Sequence, residues 1–125
     1  MERSLTVLLP VCDAQATLAA TISEVLDIAA DLTDRFELVI IDDGSADATS
    51  EVAHELRRHY PQVRVVRHGK PLGWDAALRT GLAHSHGEHI LVCEPGQPKL
   101  QRLERGSRPA RPNFLGRPQR FAVTE

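Results

Sequence analysis

The chain has 125 residues, a length that suits one domain with a single core, and its 42% hydrophobic and 26% charged content is that of a globular protein. No apolar run approaches the roughly 20 residues that a membrane-spanning helix needs, and two cysteines exclude a disulfide framework. The net charge of −2 hides an asymmetry: residues 97–125 carry seven basic groups against Glu104 and Glu125, a balance of +5, which leaves −7 on residues 1–96.

Residues 1–4 lead straight into an apolar run without a signal-peptide cleavage pattern, so the expected location is cytoplasmic. Residues 5–10 read as a short buried strand ended by Pro10, and Asp13 is placed to cap the helix that follows. Leu18, Ile22, Val25, Leu26 and Ala29 recur along one face of that helix. Residues 36–41 are a continuous β-branched and apolar run, the composition of a strand buried on both faces of a parallel sheet, and they deliver Asp42 and Asp43 to its end.

Gly44 and Ser45 turn the chain, and Ser45 or Asp47 is expected to cap a second helix reaching His59, with Val52, Ala53 and Leu56 inward. Pro61 separates that helix from a third strand over residues 63–66. Residues 68–73 form a loop by their glycines and proline, residues 74–84 a third helix with Ala77, Leu78, Gly81 and Leu82 on one side, and residues 89–93 a fourth strand.

Four strands alternating with three helices imply an α/β fold, a Rossmann-like doubly wound parallel sheet. Ligands of such sheets bind outside the carboxyl ends of the strands, so Asp42 and Asp43 are the leading candidates for a site. A purely local reading also stands, in which Asp42, Asp43 and Asp47 only cap the turn and the helix after it. His84, His86 and His89 would suit Zn²⁺ if they converged, but they fall in a turn at the opposite edge, where solvated side chains are expected. Cys12 and Cys93 lie at matching strand ends and are expected to be buried free thiols.

After Cys93 the periodicity disappears. Residues 95–125 hold five of the eight prolines and are expected to be an irregular basic tail or wrapping arm beside a domain formed by residues 1–94. Phe114 and Phe121 are its aromatics and no nucleic-acid motif accompanies them, so nucleic acid is not an expected partner.

The run Asp42-Asp43-Gly44-Ser45-Ala46-Asp47-Ala48-Thr49, at the end of an apolar strand, resembles the first acidic signature of the family 2 glycosyltransferases, nucleotide-sugar enzymes of the GT-A fold. Residues 73–82, Gly-Trp-Asp-Ala-Ala-Leu-Arg-Thr-Gly-Leu, are similar to the glycine-rich segment of the polyprenyl-phosphate sugar transferase branch. The resemblance covers residues 5–94 and implies a strand order of 3-2-1-4, a nucleotide crevice at the ends of strands one, two and four, and a UDP- or GDP-sugar donor. It also implies that Asp43 accepts a hydrogen bond from the uracil or guanine ring and that Asp42 steadies the loop or approaches the ribose. Pro10 and Cys12 then stand at the base, and Lys70 and Arg79 are candidates to meet the diphosphate, with a solvated surface role the alternative for Arg79.

Two departures shape the expectation. Where the family's first strand ends in Pro-x-Tyr-Asn-Glu, this chain has Pro10-Val11-Cys12-Asp13-Ala14, without the stacking ring. Where the family places Asp-x-Asp to hold Mg²⁺ or Mn²⁺, it has Glu94-Pro95-Gly96, which leaves Glu94 as the one candidate metal ligand. The chain also ends before the family's acceptor half. The expectation is a truncated, degenerate nucleotide-sugar-binding domain with weak or no hexosyl transfer. The alternative is a non-catalytic interaction module, or a homo-oligomer joined through the tail.

Overall fold

Strand β1 (Leu5–Val11) is buried along its whole length, and its alternate residues point into two separate apolar layers. That is the consequence of a two-residue period in a run with almost no polar positions: both faces need a cover. The computed structural model describes residues 4–94, and residues 97–103 by their backbone. Along the chain follow α1 (Leu18–Leu32), β2 (Phe36–Asp43), α2 (Thr49–His59), β3 (Val63–His68), α3 (Trp74–Ala83), β4 (His89–Glu94) and β5 (Gln97–Leu103). The sheet order is β3-β2-β1-β4-β5, so the four parallel strands take the expected order.

On one face, Val7, Leu9, Leu38 and Ile40 pack under α1 and α2, whose buried side chains include Leu18, Ile22, Val25 and Ala53. On the other, Leu8, Val39, Ile41 and Val92 pack under α3 through Ala77 and Leu78. Right-handed crossovers demand this split, because the chain travels outward through β2 and β3 and then returns past β1 to β4. Gly81 lets α3 lie close: a Cβ there would stand 2.9 Å from Ile41 Cδ1 and 3.0 Å from Leu8 Cδ2. Among the described residues no helix is long and apolar enough to cross a membrane.

Three expectations are corrected. β2 and β3 run two residues further than their apolar runs, because the ladder continues through Asp42↔Arg67 and Asp43↔His68. Residues 97–103, read as part of an irregular arm, form the antiparallel edge strand β5 beside β4. Edge pairing is satisfied by backbone groups and leaves little trace in side-chain periodicity. Pro98 and Lys99 fall where the register slips between Cys93↔Leu100 and Glu94↔Gln97, a place where a missing N–H interrupts little. Asp13 does not cap α1, whose N-cap position belongs to Thr17, and Ser45 does not cap α2; Asp47, one residue before the N-cap position at Ala48, accepts from Thr49 N at the start of that helix. The expected arm beyond residue 103 lies outside the described residues.

Candidate functional site

β1 pairs with β4 only from Leu5↔His89 to Leu8↔Val92, whereas it stays paired with β2 as far as Val11↔Asp42. The two strands that flank the reversal of strand order therefore part over their last residues. Pro10, with no N–H to give, stands where the β1–β4 ladder has ended. In the gap lies a pocket of about 320 Å³, lined by Pro10, Val11 and Cys12, by Asp43 from β2, by Trp74 and Ala77 from α3 and by Glu94 from β4. Its size is at the low end of the roughly 300 to 1,000 Å³ usual for small-molecule sites, and its place is the topological switch point of a doubly wound sheet.

Asp43 is the best-anchored group of this wall. Its Oδ1 accepts from His68 Nδ1 at 2.6 Å and from Leu72 N at 2.9 Å, and its Oδ2 accepts from Gly73 N at 2.9 Å. Burial alone would raise its carboxyl group, but the donors from His68, Leu72 and Gly73 outweigh that and hold it below the usual aspartate value. An ionised carboxylate offers about four acceptor positions, so one remains on Oδ2.

The neighbouring Asp42 is fully buried and serves the loop: its Oδ1 accepts from Ser45 N at 3.1 Å and Ser45 Oγ at 2.5 Å, and its Oδ2 faces Arg67 Nη1 at 3.8 Å. Gly44 is forced by its surroundings. Its φ is 71°, and a Cβ there would stand 2.4 Å from the carbonyl carbon of Lys70.

The rest of the acidic motif clasps the loop after β1. Ser45 Oγ accepts from Asp13 N at 2.9 Å, Thr49 Oγ1 from Ala14 N at 2.8 Å, and Asp47 Oδ2 from Gln15 N at 3.2 Å. In the other direction Asp13 Oδ1 accepts from Ala46 N at 2.7 Å, and Gln15 Oε1 from Ala48 N at 3.1 Å. Asp47 Oδ1 also accepts from Thr49 N and Thr49 Oγ1, which keeps its carboxyl low despite its exposure. The clasp holds Asp13 at a φ of 55°, a left-handed conformation that costs an ordinary residue about 1 to 2 kcal/mol.

Of the residues expected from the sequence, the structure brings Pro10, Cys12, Asp43 and Glu94 together around the pocket. Asp42 is fully buried and Lys70 and Arg79 are exposed, and none of the three lines it. Cys12 is exposed rather than buried, because β1 ends at Val11 and the chain turns outward there. Its sulfur lies 3.5 Å from the Asp43 carbonyl, and partial burial with the charges of Asp13, Asp43 and Asp42 pushes the thiol up. Cys93 is buried, and burial pushes its thiol up to about 12.

Among the described residues no group of three or more His, Cys, Asp or Glu side chains is arranged to hold a metal ion. Besides Asp43, whose carboxylate is largely engaged, the pocket holds the carboxylate of Glu94, which suits Mg²⁺ or Mn²⁺ only where diphosphate oxygens supply most of the ligands. The histidine-rich turn is structural: His86 N donates to Glu37 Oε2 at 2.6 Å, and Gly87 N to Thr6 Oγ1 at 2.8 Å. His68 and Trp74 were not among the residues expected at the site. The sole tryptophan of the chain, beside Gly73 in a glycine-rich segment, was a visible signal. His68 gave none, since it follows the apparent end of its strand.

The comparisons agree with this geometry. The family model "Glycosyl transferase family 2" matches residues 6–94. A dolichyl-phosphate beta-glucosyltransferase of Homo sapiens is 36% identical over 77 residues, covering 57% of this chain and 24% of that protein. One from Trichomonas vaginalis is 34% identical over 70 residues, covering 55% and 21%. The chain thus spans about a quarter or less of the length of these curated relatives. Among solved structures, a mannosyltransferase of Pyrobaculum calidifontis in complex with GDP-Man and Mn²⁺ superposes with a TM-score of 0.62 at 26% identity, over 75% of this chain and 28% of that one. The matched segment begins in β1 and closes on Glu94, and so takes in every element that builds the pocket: the chain belongs to glycosyl transferase family 2.

Proposed function

We propose that this chain is a nucleotide-sugar-binding domain whose pocket takes the nucleoside diphosphate end of a UDP- or GDP-sugar. The observation that carries the reading is Asp43: an anchored carboxylate with one acceptor position left, on the wall of a pocket at the switch point. A uracil or guanine ring presents an N–H that such a group accepts as a charge-assisted hydrogen bond. Pro10, Trp74 and Ala77 supply apolar wall, so Trp74 offers a ring surface in a chain that lacks the family's aromatic after Pro10. Lys70 and Arg79 are the cations that would approach the diphosphate, and Glu94 the carboxylate that would share its Mg²⁺ or Mn²⁺. The neighbour that carries GDP-Man and Mn²⁺ supports this class of ligand, and the relatives that act on dolichyl phosphate point to a polyprenyl-phosphate acceptor if transfer occurs.

Calorimetric titration of the chain with UDP and GDP, each with and without Mn²⁺, tests the reading. Saturable binding that Mn²⁺ strengthens is expected, and no heat with either nucleotide at millimolar concentration refutes it. A second reading, a degenerate domain that binds a partner or its own copy, is favoured by Glu94-Pro95-Gly96, which offers one carboxylate where two are usual. It predicts no nucleotide affinity and a change of assembly state when residues 104–125 are removed.

A further inference from the structure

His68 ends β3 opposite Asp43, the last rung of the β2–β3 ladder, and its ring is 9% exposed. Its Nδ1 lies 2.6 Å from Asp43 Oδ1 and its Nε2 lies 2.8 Å from Thr80 Oγ1 on α3. A neutral imidazole donates from one nitrogen and accepts at the other. The carboxylate accepts only, so Nδ1 carries a proton and donates to it, and Nε2 is paired with the Thr80 hydroxyl. One chain of hydrogen bonds therefore runs from the helix through the ring to the pocket wall.

The position of Asp43 depends on it. The backbone N–H groups of Leu72 and Gly73 hold the carboxylate from the loop side, while His68 is its side-chain donor and holds it from the strand side. With Oδ1 shared by His68 and Leu72, the remaining acceptor position is confined to Oδ2. Were the ring absent, the carboxylate could rotate and distribute its acceptor positions differently.

We propose that His68 is the positioning residue that holds the remaining acceptor position of Asp43 toward the pocket, and so sets the preference of the site for a ring bearing an N–H over a ring bearing a lone pair. The inference rests on the nucleotide reading above and deepens it. Uracil carries the ring N–H and cytosine has a bare nitrogen at the same place, so UDP and CDP are the discriminating pair.

The test is a titration of the full chain and its His68 variants with UDP and with CDP. His68→Asn puts an amide nitrogen where Nδ1 stands and keeps the donor to Asp43, whereas His68→Gln reaches toward Thr80 and loses it. The parent chain is expected to prefer UDP by about tenfold or more, His68→Asn to keep most of that ratio, and His68→Gln to bring it close to unity. A purely structural histidine would lower the melting temperature in both variants and leave the ratio unchanged, which overturns the inference. Should His68→Gln fail to fold, His68→Ala also removes the donor to Asp43, and an unchanged ratio there overturns it as well. A parent chain that binds UDP and CDP equally overturns the role of His68 and leaves nucleotide binding standing. One that binds neither overturns both.

Discussion

Replacing Asp43 by asparagine tests whether the carboxylate holds the loop as well as facing the pocket. It accepts hydrogen bonds from His68, Leu72 and Gly73, and its side chain is 11% exposed. An asparagine oxygen in the place of Oδ1 still serves His68 and Leu72 as a neutral acceptor, but the amide then turns an N–H toward the Gly73 N–H. A hydrogen bond to a charged group contributes about 1.5 to 3 kcal/mol and a neutral one about 1 kcal/mol. One bond lost and two weakened give a cost of about 3 to 5 kcal/mol, a large part of the roughly 5 to 15 kcal/mol that holds a domain together. Urea denaturation at neutral pH reads it as a lower midpoint at unchanged slope. The pH dependence gives a second check. The carboxyl group is lowered in the folded chain, so its contribution is complete above the unfolded value of about 3.9 and is lost as pH falls through the folded one. The gap between parent and variant should therefore hold down to mildly acidic pH and close in strong acid. A gap below about 0.5 kcal/mol at neutral pH, or one that widens on acidification, refutes the reasoning.

Gly44→Ala adds a Cβ at a φ of 71° and 2.4 Å from the Lys70 carbonyl carbon, which is backbone and cannot swing away. The expected loss is about 3 kcal/mol or more in a denaturant titration. Gly81→Ala meets only the side-chain ends of Ile41 and Leu8 and should cost about 1 to 3 kcal/mol, so the reverse ranking would contradict the packing. A thiol reagent at mildly alkaline pH should modify the exposed Cys12 and spare Cys93 until the chain is denatured, and bound UDP should protect Cys12 if it occupies the pocket. Equal labelling of both cysteines in the native chain would contradict their placement.

Much of the fold was legible because its signals are local and redundant. Pro61 and the glycines mark turns, the stripe from Leu18 to Ala29 has one period, and the run before Asp42 suits a strand covered on both faces. Strand order and the carboxyl-end position of the pocket came from the family resemblance and general topology. What stayed hidden depends on partners distant in sequence. β5 exists because the edge of β4 offers backbone groups, and Arg67 and His68 belong to β3 because Asp42 and Asp43 pair with them. The true partners of Asp13 lie 32 and 33 residues away, on Ser45 and Ala46, so the nearest helix looked like its natural client.

The geometry also changes what the acidic motif signifies. Asp42, Ser45, Asp47 and Thr49 spend their hydrogen bonds on the turn and on the loop after β1, Gly44 makes room for the backbone at Lys70, and Asp43 alone of these residues lines the pocket. A complete motif is thus a requirement for placing Pro10, Cys12 and Asp43 around a common space, and it would be needed whether or not a ligand ever entered. Under the proposed function the ligand chemistry falls to Asp43 and to groups outside the motif: Trp74 on the wall, Glu94 at the end of β4 and His68 behind Asp43. Breaking the clasp with Ser45→Ala or Thr49→Val should therefore loosen the loop after β1 and reduce nucleotide affinity only through the shape of the pocket. His68→Gln should bring the preference for UDP over CDP close to unity while the loop stays closed. A Ser45 or Thr49 variant that altered base preference would show that the division between scaffold and reader is drawn in the wrong place.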